Sequence, residues 1–164
     1  QAPDTRIELL IPDFRDKPGA LESVLAADPE VLAHNLETVS ALYPGVRPRS
    51  SYEGSLDVLR AIAAYRPRPL VKTGIMVGLG ESTTELEELF DHVAASGVDI
   101  LTIGQYLQPS ARHHRVERFY EPSEFEALAA AGRAAGIPHV EAGPFVRSSY
   151  HAADQARLAD AAAT

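Results

Sequence analysis

The sequence contains no cysteine, and that absence removes more chemistry than any other feature of its composition. Without thiols these 164 residues hold no disulfide, no thiolate nucleophile and no cysteine-held metal cluster. No apolar run approaches a membrane span and nothing near Gln1 reads as a signal peptide, which points to a cytoplasmic protein without a membrane partner. Positive charge is in short supply. Fifteen Lys and Arg stand against 23 Asp and Glu, a formal net charge of −8, which argues against a nucleic-acid surface because phosphate contacts need a basic stripe. The six histidines are scattered and form no zinc-binding spacing. The chain opens on Gln1 rather than Met, so the expectation is a piece of a longer sequence.

What is present is enough for one domain with a real core: 45% of the residues are hydrophobic, ordinary for a globular protein of this length. The richest stretch is VKTGIMVGLGE, 71–81. Val71, Thr73, Ile75 and Val77 fall on one face of a period-two strand, suited to packing under helices. Lys72, Gly74, Met76 and Gly78 fall on the other, where two glycines leave room for a ligand against the backbone. Ser82 and Glu85 have capping-box spacing, so the strand runs through Gly78 and Gly80 into a helix. The same glycines would equally serve a tight turn and nothing more.

Along the chain, 6–11 reads as a short strand, and Pro18 opens a helix over Leu21, Val24 and Leu25 that ends at Asp28 and Pro29. VLAHNLETV, 31–39, reads as a strand whose alternation places Asn35 and Glu37 on one face, where they could meet one ligand or satisfy each other. A loop over 43–51 precedes a helix capped by the Ser50 to Glu53 spacing, with Leu56, Leu59, Ile62 and Ala63 on its apolar face. A helix over 84–96 stops at Gly97, a strand covers 99–107, a helix runs from Pro122 to Gly136, and 138–140 forms a last strand. The Ala-rich tail from Ala152 is expected to fray.

Strands separated by helices of this length pair in parallel, giving an α/β open sheet or an incomplete barrel, since a closed eight-unit barrel takes about 250 residues. Ligands in either architecture sit at the carboxyl ends of the strands. That rule gathers Glu37, Gly78, Glu81, Gln105 and the loop after Val140 at one rim.

IPDFR at 11–15, HNLETV at 34–39, KTGIMVGLGE at 72–81, LTIGQYLQPS at 101–110 and GPFVRSSYHA at 143–152 occur in order, and together they resemble the lipoyl synthases, a family of radical S-adenosylmethionine (SAM) enzymes. The resemblance implies a radical-SAM-type partial TIM barrel over 1–142, of which this chain is the C-terminal part, and a C-terminal extension over 143–164 with the RSSY motif. It implies that Asn35 and Glu37 handle the SAM ribose, and that Gly74, Met76, Gly78 and Glu81 form the Gly-rich pattern beside adenine. Gln105 and Leu107 would continue that pocket, and Ser149 would be an unusual ligand of an auxiliary [4Fe–4S] cluster. The implied reaction inserts two sulfurs, at C6 and C8 of an octanoyl chain carried on a lipoyl domain of a 2-oxoacid dehydrogenase E2 or on the glycine cleavage H protein. SAM and two [4Fe–4S] clusters are the implied cofactors, and the cofactors carry the difficult chemistry.

Departures from the family pattern limit what this chain is expected to do alone. Both cysteine motifs that hold the clusters are missing, so no catalytic residue is assigned and the isolated chain is expected to be inactive. The first barrel strands are missing too, which leaves the 6–11 strand as an exposed edge. Gly54, Thr73 and the run Ala111 to Arg115 are smaller departures. Two other readings are open: a non-catalytic remnant that binds the octanoyl or lipoyl carrier domain through the cationic ARHHRVER run at 111–118, and a phosphate site on the Gly78 to Ser82 turn.

Overall fold

The structure, a computed structural model, describes residues 5–149. Five strands, β1 Glu8–Leu10, β2 Val31–Ala33, β3 Leu70–Val77, β4 Ile100–Gln105 and β5 His139–Gly143, form one sheet in the order β1-β2-β3-β4-β5, and every pairing is parallel. Between them lie α1 Ala20–Leu25, a 3-10 turn Ser40–Leu42, α2 Tyr43–Val46, α3 Tyr52–Ala64, α4 Thr83–Ala95 and α5 Pro122–Ala134.

The strand order settles the architecture. Parallel crossovers are right-handed, so an order that never reverses sends every helix to the same face of the sheet. One apolar cluster confirms this: Leu32, Val71, Ile75, Val77, Leu101, Ile103 and Val140 from alternate strand positions pack with Leu56, Leu59, Leu89, Phe90 and Phe125 of the helices. The other strand positions, Lys72, Gly74, Met76, Thr102 and Gly104 among them, contribute nothing to that cluster. The sheet is not closed, since β1 and β5 remain edges. It is a partial βα barrel with its helices outside. β1 is the expected exposed edge, with Ile7 49% and Leu10 55% exposed.

Local chemistry explains most of the helix boundaries. Ser82 and Glu85 form a complete capping box at the start of α4, and Leu86, Leu89, Phe90 and Val93 bury its apolar stripe. Gly97, at φ 74°, supplies the left-handed residue that ends it. α3 corrects the sequence expectation by one residue. Ser51, not Ser50, is its N-cap, accepting from the Gly54 amide at 3.1 Å, while Ser50 donates to Asp13 Oδ2 at 2.6 Å and ties down the loop after β1. A Cβ at position 54 would lie 2.6 Å from Ser51 Oγ, so this cap accounts for glycine there. The expected loop over 43–51 holds the single turn of α2, and β5 runs on to Gly143 rather than stopping at 140. No helix among the described residues is long and apolar enough to cross a membrane. The tail from Ala152 lies outside the described residues.

Candidate functional site

A cavity of about 330 Å³ opens on the inner face at the carboxyl ends of β3 and β4. Asn35, Glu37, Gly74, Met76, Thr102 and Gly104 line its sides and floor.

The Asn35 and Glu37 wall is built differently from the expected strand over 31–39. Regular pairing stops at Ala33. The His34 amide then donates to the Lys72 carbonyl at 3.0 Å and the Glu37 amide to the Gly74 carbonyl at 2.9 Å, so three residue steps oppose two on β3. This is a bulge, and it re-aims the side chains at its end. Most of its backbone groups have a defined partner. Thr73 Oγ1 donates to the His34 carbonyl at 2.9 Å and accepts from the Leu36 amide at 3.1 Å. Arg47 donates to the Asn35 carbonyl at 3.0 Å, Tyr43 Oη donates to the Leu36 carbonyl at 2.6 Å, and the Glu37 carbonyl accepts from the Met76 amide at 2.8 Å. Either a serine or a threonine hydroxyl would serve at 73, so the departure noted there costs the site nothing. Glu37 itself sits at φ 70°, a left-handed conformation that costs a non-glycine residue about 1–2 kcal/mol. That strain is held by the two β3 hydrogen bonds on either side of it.

The result is a polar corner with unmet demand. Asn35 and Glu37 stand together on the cavity wall, and Asn35 Oδ1 is buried with no partner. Burial drives the Glu37 carboxyl above the ordinary range, against the opposing pull of the neighbouring Asn35 amide and the Arg47 charge. Gly74 makes the corner possible, because a Cβ there would lie 2.9 Å from Thr102 Oγ1 and 3.0 Å from Asn35 Oδ1. At Gly104 the Val146 carbonyl approaches so closely that a Cβ would collide with it, and this brings the 144–148 segment over the cavity. Val146, Arg147 and Ser148 complete the lining.

Several residues singled out in the sequence lie elsewhere. Lys72 is fully buried below the cavity and pairs with Glu8 at 2.7 Å. Gly78 does not extend the floor. At φ 97° it turns the chain away, and the space a side chain would need is taken by Gln105 and the Arg118 carbonyl. Glu81 does not line the cavity either. Its carboxylate accepts from the Gly78 amide at 2.7 Å, the Leu79 amide at 2.9 Å and Tyr120 Oη at 2.7 Å. Those amides are the donors an anion would have used, so a phosphate at this turn would meet a resident carboxylate; the phosphate reading is corrected on that ground. Gln105 touches the cavity, but its amide is spent on the Tyr106 and Arg118 carbonyls, both at 3.1 Å, and on the Tyr120 amide at 3.0 Å. It anchors the 106–121 loop. Ser149 is exposed and outside the lining, whereas its neighbour Ser148 is inside it.

Sequence reasoning missed Thr102, Gly104 and Arg47. The first two share the parity of Gly74 and Met76 once β4 is set in parallel register, a signal available in LTIGQ. Arg47 reaches the bulge from α2's far end and leaves no local pattern to read.

The adenosyl part of SAM fits: a buried acceptor and a carboxyl suit a diol, and the bare backbone at Gly74 suits a flat ring. An iron–sulfur cluster does not fit, because cluster iron is held by thiolates and the sequence has none. Among the described residues no group of three or more His, Asp and Glu could hold a metal ion.

No protein-family model matches the chain. Curated proteins do. The chain is 49% identical over 161 residues to the lipoyl synthase of Xylella fastidiosa, covering 96% of this chain and 43% of that protein. It is 50% identical over 162 residues to the lipoyl synthase of Symbiobacterium thermophilum (99% and 51%) and 50% identical over 156 residues to that of Koribacter versatilis (95% and 51%). The chain thus spans about half the length of the curated relatives it matches. With identity near one half sustained over almost every residue present, the chain belongs to the lipoyl synthase family.

Proposed function

We propose that the inner-face cavity is the adenosyl-binding half of a lipoyl synthase active site, and that the chain works as the C-terminal part of such an enzyme. The whole enzyme inserts sulfur at C6 and C8 of a protein-bound octanoyl-lysine, on an E2 lipoyl domain or a glycine cleavage H protein. When bound, SAM would supply the radical chemistry that removes hydrogen from the octanoyl chain. This chain's residues hold and orient it: the Glu37 carboxylate and Asn35 Oδ1 accept from the ribose hydroxyls, Gly74 lets adenine approach the strand, and Met76 packs on the ring. The two [4Fe–4S] clusters require thiolates from outside these residues, with Ser149 beside them as the one non-thiolate ligand. On this reading 1–142 belongs to the barrel and the C-terminal extension begins at 143, with Val146, Arg147 and Ser148 at the cavity.

The observation that carries the proposal is the buried, unpartnered Asn35 Oδ1 beside a strained Glu37, next to the bare backbone of Gly74. Calorimetric titration with S-adenosyl-L-homocysteine tests it. Binding is expected to strengthen as pH rises through the elevated Glu37 pKa, because only the carboxylate accepts both hydroxyls. Glu37→Gln should weaken binding about tenfold, the order of one charge-assisted hydrogen bond, and flatten the pH dependence. Unchanged affinity in both Asn35→Ala and Glu37→Gln would reject this site.

A further inference from the structure

Arg47 does not line the inner-face cavity; it lines a second one, of about 340 Å³, with Asp13, Pro48, Arg49 and Ser50. Its backbone is fixed at the end of α2, where its amide donates to the Tyr43 carbonyl at 2.8 Å and its carbonyl accepts from the Ser50 amide at 2.9 Å. From there the half-buried guanidinium reaches back to the bulge. It donates to the Asn35 carbonyl at 3.0 Å and makes longer contacts of 3.4 Å to Tyr43 Oη and Ser55 Oγ. It also lies 5.7 Å from the centre of the Tyr43 ring, which Tyr52 meets edge-on at 5.4 Å. A side chain with this many rotatable bonds is costly to hold in one place, and here the bulge, α2 and α3 all hold it.

Each of those contacts is to a neutral group. The carboxyl on which the Arg47 charge acts is Glu37, drawn down by the guanidinium while burial pushes it up. The other ionisable groups around the bulge are already engaged or neutral. β3 opposes Glu37 with Gly74, Ile75 and Met76, and Lys72 below them pairs with Glu8. Burial keeps the Tyr43 phenol of α2 and the His34 imidazole of the bulge in their uncharged forms. In the loop after β1, Asp13 is met by Ser50 at 2.6 Å and Arg15 at 3.7 Å. Arg147, a second cation at the inner cavity, donates to the Val146 carbonyl at 2.6 Å.

We propose that Arg47 is a positioning residue of the adenosyl site: from behind the wall, one guanidinium fixes the Asn35 backbone and gives Glu37 its counter-charge without touching the ligand. This rests on the function proposed above. The two roles separate chemically. The hydrogen bond sets where Asn35 presents its side chain, and any donor of similar reach can make it. The charge sets how far pH must rise before Glu37 accepts both ribose hydroxyls, and only a cation can supply that.

The test reads the two roles separately on the full chain. Without ligand, ¹³C NMR follows the titration of the Glu37 side-chain carboxyl, its resonance assigned by its loss in Glu37→Gln. Arg47→Gln keeps a donor and removes the charge, and should raise the Glu37 midpoint by about one pH unit, the low end of what a nearby opposite charge supplies. Arg47→Lys should keep the original midpoint, and so should Arg49→Gln, which removes a cation from the same outer cavity. With S-adenosyl-L-homocysteine, the pH dependence of binding should move upward with the midpoint in Arg47→Gln and should not move in the Glu37→Gln background, where no carboxylate is left to couple. A merely structural role would weaken binding equally at every pH. A Glu37 midpoint unmoved by Arg47→Gln overturns the proposal, as does one raised equally by Arg47→Lys or by Arg49→Gln. If the midpoint moves as expected while S-adenosyl-L-homocysteine fails to bind, the coupling of Arg47 to Glu37 stands and the adenosyl reading falls.

Discussion

On the helix side, β3 buries Val71, Ile75 and Val77 against Leu59, Leu89 and Phe90; on the inner side, the intervening residues of the same strand are Lys72, Gly74 and Met76. The first face is apolar and close-packed. The second holds a buried cation, a missing side chain and, across the bulge, an acceptor with no partner. Folding alone explains the first face, since each residue there removes apolar surface from water. It does not explain the second, where burial of Asn35 Oδ1 and Glu37 and the left-handed backbone of Glu37 all cost free energy. A face that costs stability beside a face that provides it is the pattern expected when one strand serves both fold and site.

Substitutions can break this contrast from either side. Phe90→Ala on the helix face should cost about 3–5 kcal/mol, a large share of the total stability of a domain this size, and drop the melting temperature steeply in thermal denaturation. Ligand affinity measured well below that temperature should hold. Thr73→Val is the intermediate case, because that one hydroxyl crosses from the fold to the bulge. It strands the His34 carbonyl and the Leu36 amide and should cost about 1–3 kcal/mol, together with loss of ligand binding, whereas Thr73→Ser should preserve both. A Thr73→Val chain that binds ligand normally would show that the bulge does not shape the site.

The smallest effect concerns pH. His34 is buried with Nδ1 on the Ile11 carbonyl at 3.0 Å and Nε2 without a partner, and burial holds its pKa below the usual 6.5. A depressed folded-state pKa means that the folded chain binds fewer protons than the unfolded one. Its stabilising contribution is therefore present above 6.5 and is lost as pH falls toward the lower, folded value. Melting temperature should decline between about pH 7.5 and 5.5, the span around an ordinary histidine pKa, and His34→Asn should reduce that slope. An unchanged slope would assign the acid sensitivity to other groups.

Much of the helix face was legible in the sequence because its determinants are local. Leu86, Leu89, Phe90 and Val93 repeat at helical spacing, and Ser82 with Glu85 announces where α4 begins. The inner face was legible only as far as strand parity reaches. Parity picked out Gly74 and Met76 correctly as neighbours on one face, but it also carried Gly78 along, and Gly78 leaves that face because Gln105 and Arg118 occupy the space beside it. Asn35 and Glu37 do face one cavity, although through a bulge and not through alternation. The bulge depends on Thr73, Tyr43 and Arg47, and no window around 31–39 contains them. Glu81 stands out in the pattern by its carboxylate; only the folded turn shows that carboxylate already spent on two amides and a phenol.

The measurement that tests the central claim most directly uses Met76, the one methionine of the sequence, half-buried on the cavity wall. With a ¹³C label on its methyl group, this residue reports one NMR resonance from inside the candidate site. Titration with S-adenosyl-L-homocysteine should shift that resonance through the ring current of an adenine stacked beside it, and Glu37→Gln should require a higher ligand concentration for the same shift. A Met76 resonance that stays in place at saturating ligand would contradict the account.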